Sequence, residues 1–249
     1  MRIRYIFSTN PKETQLQSTT TQQRLHTGQS VFFGVKFGLT YSPNDKPRDL
    51  NTRTATVMEI LSNPFCASGA ALPNGSVITF GGNGAIGPGG NIGSVRNGAG
   101  SGAYDATYGD YDGTKAIRIL NPCTSSQNIN SSGCQWYDNP QTLSMQKQRW
   151  YSTAETLPDG SVVMIGGFVN GGYVNRNLPN TDPTFEGGAA EPTYEFYPSK
   201  GPATQMAFLT KTSGLNAYAL TWTLASGQLF VQANLSTSCV IRFSFCYFR

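Results

Sequence analysis

Two stretches of this chain carry the same phrase. Leu72-Pro73-Asn74-Gly75-Ser76-Val77-Ile78-Thr79-Phe80-Gly81-Gly82 returns as Leu157-Pro158-Asp159-Gly160-Ser161-Val162-Val163-Met164-Ile165-Gly166-Gly167. In each copy Asn-Gly or Asp-Gly supplies the φ > 0 backbone that a two-residue hairpin turn requires. The β-branched run that follows reads as a buried strand, and Gly-Gly ends it where no side chain is accommodated. A weaker third copy is Leu224-Ala225-Ser226-Gly227-Gln228-Leu229-Phe230-Val231-Gln232-Ala233. The copies begin 85 residues apart (72 to 157) and then 67 apart (157 to 224). Those spacings exceed a repeat unit of about 50 residues, which predicts insertions between strands. Each full copy also follows a reactive residue, Cys66 in the first and Tyr151 in the second.

The repeat predicts an all-β chain, a partial kelch-like β-propeller built of several four-stranded blades. Composition agrees. With 28 Gly, 14 Pro and 13% charged residues, the chain is turn-rich and poor in the amphipathic periodicity of helices. It has no run of 18 apolar residues, so no membrane partner is expected. The formal charge of +4 is modest and its basic residues are scattered, with Arg2 and Arg4 at the front and Arg242 and Arg249 at the back. A nucleic-acid partner would want a basic stripe interleaved with exposed aromatics, and none is present.

Five cysteines, Cys66, Cys123, Cys134, Cys239 and Cys246, bear on the compartment. Cys123 and Cys134 bracket a polar loop, and a disulfide between them would close it in an oxidising environment. Sequons at Asn74, Asn130 and Asn234 offer N-glycan sites and agree with secretion. The amino terminus points the other way, because Met1 to Gln29 has no apolar signal-peptide core. Either the true start lies elsewhere or the product is not exported as written.

Along the chain, residues 1–44 form a polar, divergent segment with one apolar patch at Val31–Leu39, and residues 45–236 form the regular β domain. Thr54 to Ile60 alternates as a strand does, and Cys66 to Gly82 reads as strand, turn, strand. Gly84 to Gly113 is Gly-rich but lacks the Lys-Ser/Thr and the helix of a phosphate loop, so it reads as a surface loop. Ala116–Leu120, Arg149–Thr156 and Tyr194–Tyr197 read as further strands, and residues 218–234 as a last hairpin. Residues 237–249 lose the turn punctuation and read as an aberrant tail. Taken by themselves, Cys66 is a small buried hydrophobe ahead of a hairpin, and Arg149-Trp150-Tyr151 is core packing plus a surface charge.

A series of motifs, in order, changes the weight of those two positions. Phe65-Cys66-Ala67-Ser68-Gly69, Gly81-Gly82-Asn83, Ala116-Ile117-Arg118, Asn121-Pro122-Cys123 and Cys134-Gln135-Trp136-Tyr137 lead to Arg149-Trp150-Tyr151. Pro192-Thr193-Tyr194-Glu195-Phe196 and Pro198-Ser199-Lys200-Gly201 follow. Over roughly residues 48–236 the chain resembles the amino-terminal half of the copper radical oxidases, with glyoxal oxidase as type member and galactose oxidase a more distant relative. The resemblance implies a seven-bladed parent fold and an extracellular location. It implies a thioether between Cys66 and Tyr151, with Tyr151 also a copper ligand and Arg149 and Trp150 as supporting residues. The activity implied is oxidation of small aldehydes to carboxylic acids with reduction of O2 to H2O2. The redox logic follows: copper(II) readily takes one electron, aldehyde oxidation removes two, and a sulfur-substituted phenol supplies the second redox centre.

The same resemblance implies two imidazoles and an axial tyrosine, which in the family lie in the carboxy-terminal half. This chain has one histidine, His26, ahead of the resembling region, where it reads as a solvated surface residue. Copper(II) prefers tetragonal nitrogen and oxygen ligation, which Tyr151 alone does not provide. The expectation is a truncated or mis-spliced member that does not bind copper and is inactive by itself. The alternative is a non-catalytic kelch-like propeller module that binds a protein or glycan partner.

Overall fold

A computed structural model describes residues 21–24, 30–33, 58, 60–97, 101–123, 127–128, 130–169, 189–213, 217–233, 237–242 and 245–248. His26, the sequon at Asn234 and most of the Thr54–Ile60 segment lie outside them. Strands β1 (Thr21–Arg24) and β2 (Ser30–Phe33) pair as an antiparallel hairpin. Next come β3 (Ser68–Ala71) and β4 (Val77–Phe80), joined by the first Asn-Gly turn. The Gly-rich insert follows, with β5 (Val95–Arg96), β6 (Gly102–Asp105) and β7 (Asp110–Tyr111). Strands β8 (Ile117–Leu120) and β9 (Trp136–Asp138) complete a sheet of order β3-β4-β8-β9.

The second copy of the phrase builds β10 (Thr153–Thr156) and β11 (Val162–Ile165), extended by β12 (Thr193–Tyr197) and β13 (Thr204–Gln205). A short helix α1 (Ala207–Lys211) leads to the third sheet: β14 (Leu220–Thr223), β15 (Leu229–Gln232), β16 (Ser238–Arg242) and β17 (Phe245–Phe248). All three four-stranded sheets are antiparallel with neighbouring strands in sequence order, the first interrupted by the insert. Residues 238–242, read from sequence as tail, pair with β15 and bury Cys239.

Successive sheets meet through the same contact. The Thr156 hydroxyl donates to the carbonyl of Ala71, and the Thr223 hydroxyl to the carbonyl of Thr156, 2.9 and 3.3 Å. Those three residues directly precede the three copies of the phrase, so the first strands of the three sheets, β3, β10 and β14, follow one another by one repeated relation. The apolar strand Val162-Val163-Met164-Ile165 explains why the sheets stack. Side chains alternate across a strand, so a run apolar at every position is buried on both faces. Val162 and Met164 pack with Ile78, Phe80 and Ile117 of the first sheet. Val163 and Ile165 pack with Leu229, Val231, Phe208 and Leu209 on the other side.

Three expectations are corrected. The insert, expected as a surface loop, contains a three-stranded sheet with Tyr104 and Tyr111 stacked across it at 4.6 Å. Buried Asp105 and Asp110 organise it: Asp105 accepts from the backbone N–H groups of Ser94, Thr107 and Tyr108, and Asp110 from that of Ile86. The strand expected over Arg149–Thr156 begins only at Thr153, because Tyr151 takes a left-handed backbone, φ 59°. Arg149 is no surface charge either. It is fully buried, with Nε donating to Glu195 at 2.9 Å and the other nitrogens to Gly166, Thr193 and the Thr193 hydroxyl.

Candidate functional site

The reactive residues that precede the repeated phrase are brought together. Cys66 and Tyr151 both have φ 59°, a conformation that costs an L-residue about 1 kcal/mol or more and collects at functional positions. The amide of Tyr151 donates to the carbonyl of Cys66 at 3.1 Å, and their side chains hydrogen-bond to each other. Cys66 is a buried free thiol in a cluster with Trp150, Phe168 and Ala190, and Phe65 and Tyr151 pack against it. The Trp150 ring meets Tyr151 edge-on, centroids 4.3 Å apart.

The loop that presents Cys66 is braced from three directions. Asn63 accepts the Phe65 N–H through Oδ1 and donates through Nδ2 to Gly84 and Asp110. Asp138 accepts the amides of Leu61 and Ser62. Fully buried Arg118 donates to the Ser62 hydroxyl and to the carbonyls of Asn63 and Gly81. Gly82 explains its own identity: a Cβ there would lie 2.0 Å from the Asn63 carbonyl oxygen. On the other side, Trp150 exchanges two backbone hydrogen bonds with Phe168, 2.8 and 2.7 Å, which fixes the approach to Tyr151.

The structure adds a residue that the sequence reading missed. Tyr218 donates its amide to the Tyr151 carbonyl at 2.8 Å, repeating the Tyr151-to-Cys66 contact, and has φ 47°. Its ring lies 4.8 Å from that of Tyr151, and its hydroxyl hydrogen-bonds with the Cys66 side chain. The signal was present: Tyr218 stands as far ahead of Leu224 as Cys66 does of Leu72 and Tyr151 of Leu157. One repeat position thus supplies all three.

Burial sets the electrostatics. It raises the Cys66 thiol, against smaller opposing effects from Tyr151, Tyr218 and Trp150. Burial, with the Cys66 hydrogen bond second, pushes Tyr151 up to about 12, and it raises Tyr218 further. At neutral pH the thiol and both phenols are therefore protonated, with each group available to donate or accept. Among the described residues, no three His, Cys, Asp or Glu side chains are grouped to hold a metal ion. The donor set in reach, two phenols and a thiol, does not by itself fit copper(II), which prefers imidazole and oxygen ligands. Cys123 and Cys134 form the expected disulfide, and the sequon residues Asn74 and Asn130 are exposed.

Residues 93–174 match the family model for the glyoxal oxidase N-terminus. The chain is 29% identical over 190 residues to an aldehyde oxidase GLOX of Vitis pseudoreticulata, covering 75% of this chain and 26% of the relative. It is 23% identical over 188 residues to aldehyde oxidase GLOX1 of Arabidopsis thaliana, covering 75% and 22%. A WSC domain-containing protein of Arthroderma benhamiae is 26% identical over 176 residues, covering 69% and 14%. Among solved structures, a fungal alcohol oxidase of the AA5 family in complex with copper matches with a TM-score of 0.44 and 16% identity. That match covers 78% of this chain and 31% of the oxidase. The chain therefore spans about a quarter or less of the length of these curated relatives.

Proposed function

Because the chain belongs to the glyoxal oxidase family through its N-terminal-type domain, we propose that it builds the side-chain half of a copper radical oxidase site. Cys66 and Tyr151 are its redox pair. The observation that carries this reading is the Cys66 thiol hydrogen-bonded to Tyr151 within one buried cluster, although 85 residues separate them in sequence. In this reading Sγ bonds to the ring carbon ortho to the Tyr151 hydroxyl. The S–H and that C–H bond break, and two electrons and two protons pass to dioxygen, giving hydrogen peroxide. Sulfur next to the phenol oxygen lowers the potential at which the ring gives up one electron.

Tyr151 is the residue of this chain that would ligate copper in a complete site. Conversion of small aldehydes to carboxylic acids with reduction of O2 is proposed for such a site, to which this chain contributes one part. A kelch-like β-propeller agrees with the repeated relation between the first strands of its three four-stranded sheets. An extracellular location agrees with the Cys123–Cys134 disulfide, and Asn74 and Asn130 are then open to N-glycans. A second reading, a non-catalytic module binding a protein or glycan, is favoured by exposed Leu220, Trp222 and Leu224 along and beyond β14.

Intact and peptide mass after incubation with copper(II) and dioxygen separates the two. Loss of the two hydrogens, localised to the peptides that carry Cys66 and Tyr151, supports the redox pair. A Cys66 thiol that still alkylates after that treatment overturns it and leaves the binding module.

A further inference from the structure

We propose that Tyr218 is a redox relay: it passes one electron from Tyr151 to soluble one-electron oxidants, linking the site to the surface. This rests on the Cys66–Tyr151 redox pair proposed above. The three left-handed repeat positions run outward in a graded series. Cys66 is 8% exposed, Tyr151 is half-buried and Tyr218 is 37% exposed. The rings of Tyr151 and Tyr218 meet edge-on with centroids 4.8 Å apart, and the Tyr218 amide donates to the Tyr151 carbonyl at 2.8 Å. The ring of Trp150 also meets that of Tyr151, but Trp150 is 5% exposed and leads inward. Of the two neighbours, Tyr218 is the one that opens to solvent.

Packing does not account for a tyrosine at this position. A backbone φ of 47° strains a bulky side chain, and glycine or asparagine would fit it better. The Tyr218 ring lies outside the buried apolar clusters of the described residues, so core burial does not offset that strain. Its hydroxyl reaches the Ala67 carbonyl at 3.4 Å, a long contact. What the residue supplies is an oxidisable phenol in ring contact with another. Burial keeps both phenols protonated at neutral pH, so each oxidation also releases a proton. The oxidant takes one electron from Tyr218, whose proton passes to water. The Tyr218 phenoxyl then takes one electron from Tyr151 and a proton from water, while Tyr151 gives up its own proton. The net products are one Tyr151 phenoxyl, one reduced oxidant and one proton.

The test needs neither copper nor the thioether. In the full chain, Tyr151 is replaced by a tyrosine fluorinated at both ring carbons beside the hydroxyl. That blocks the thioether and gives the radical at this position a fluorine-split EPR signal. Tris-bipyridyl ruthenium(III), generated by a light flash, is the oxidant. The split signal should form with Tyr218 present and be lost in Tyr218→Phe, which keeps the ring and removes the oxidisable group. It should return in Tyr218→Trp, whose indole can carry the electron. A signal in Tyr218→Phe equal to the parent's overturns the proposal, as does the absence of a signal in the parent. Loss in both variants marks a packing role and overturns it too. Should Tyr218→Phe not fold, nitrotyrosine at position 218, a phenol much harder to oxidise, decides in its place by the same reading. The mass assay for the redox pair is independent. Thioether formation with a signal indifferent to Tyr218 keeps the pair and removes the relay. A signal that depends on Tyr218 without thioether formation removes the pair and keeps the relay.

Discussion

Asp110 shows how one buried carboxyl ties the insert to the site. It accepts from Asn63 Nδ2 and the Ile86 amide, each at 2.9 Å, and Asn63 in turn fixes the Phe65 amide beside Cys66. Burial raises it from 3.8 to about 6, against the hydrogen bonds and the nearby Arg118, with Asp105 adding to the rise. The folded state therefore holds a proton that the unfolded chain releases between those values. Stability from this group is fullest below about pH 4 and falls as pH rises through about 6. Asp110→Asn keeps an acceptor and removes the charge. Chemical denaturation at pH 4 and pH 7 should show the parent losing about 2 kcal/mol more than the variant across that interval. Parallel curves would show that Asp110 carries no such linkage.

At the scale of elements, local chemistry and distant supports divide the work. The hairpin turns after β3, β10 and β14 hold Gly75, Gly160 and Gly227 at φ 86°, 83° and 75°, as their sequences require. Cys123 and Cys134, 11 residues apart in sequence, are joined by a disulfide. Replacing both cysteines by serine should lower stability by roughly 2–3 kcal/mol. The same change should leave the Cys66–Tyr151 reaction with copper(II) and dioxygen unaffected, because neither Cys123 nor Cys134 belongs to that cluster. A thermal scan and the mass assay check the two halves of that expectation.

Across the whole molecule, buried arginines join segments that sequence keeps far apart. Arg149 binds Glu195, Thr193 and the Gly166 carbonyl through its side chain, while its own carbonyl accepts the Gly82 amide from the first sheet. Glu195 also accepts the amides of Gln146 and Lys147, so losing the guanidinium leaves a buried carboxylate only partly compensated. Arg149→Met should cost about 3–5 kcal/mol, read by urea denaturation. The double change Arg149→Met with Glu195→Gln should recover part of that loss, since the unpaired charge is gone.

The turns, the buried Val162–Ile165 strand and the Cys123–Cys134 pairing were legible in the sequence, whereas Cys66 and Tyr151 were linked there only by what the family resemblance implies. Each rests on a local rule or on a motif repeated at a fixed place. Tyr218 was legible in principle, through the third copy of the phrase, but its weak match hid it. The ordered insert, the buried Arg149 and the orphaned indole of Trp150 were decided only by tertiary structure. Their partners lie tens of residues away, and burial, which sets the cost of an unpaired charge or N–H, exists only once the sheets have packed. The sequence alone thus determined the β architecture and its two reactive residues. Packing decided that those residues meet, and what surrounds the sulfur where they do.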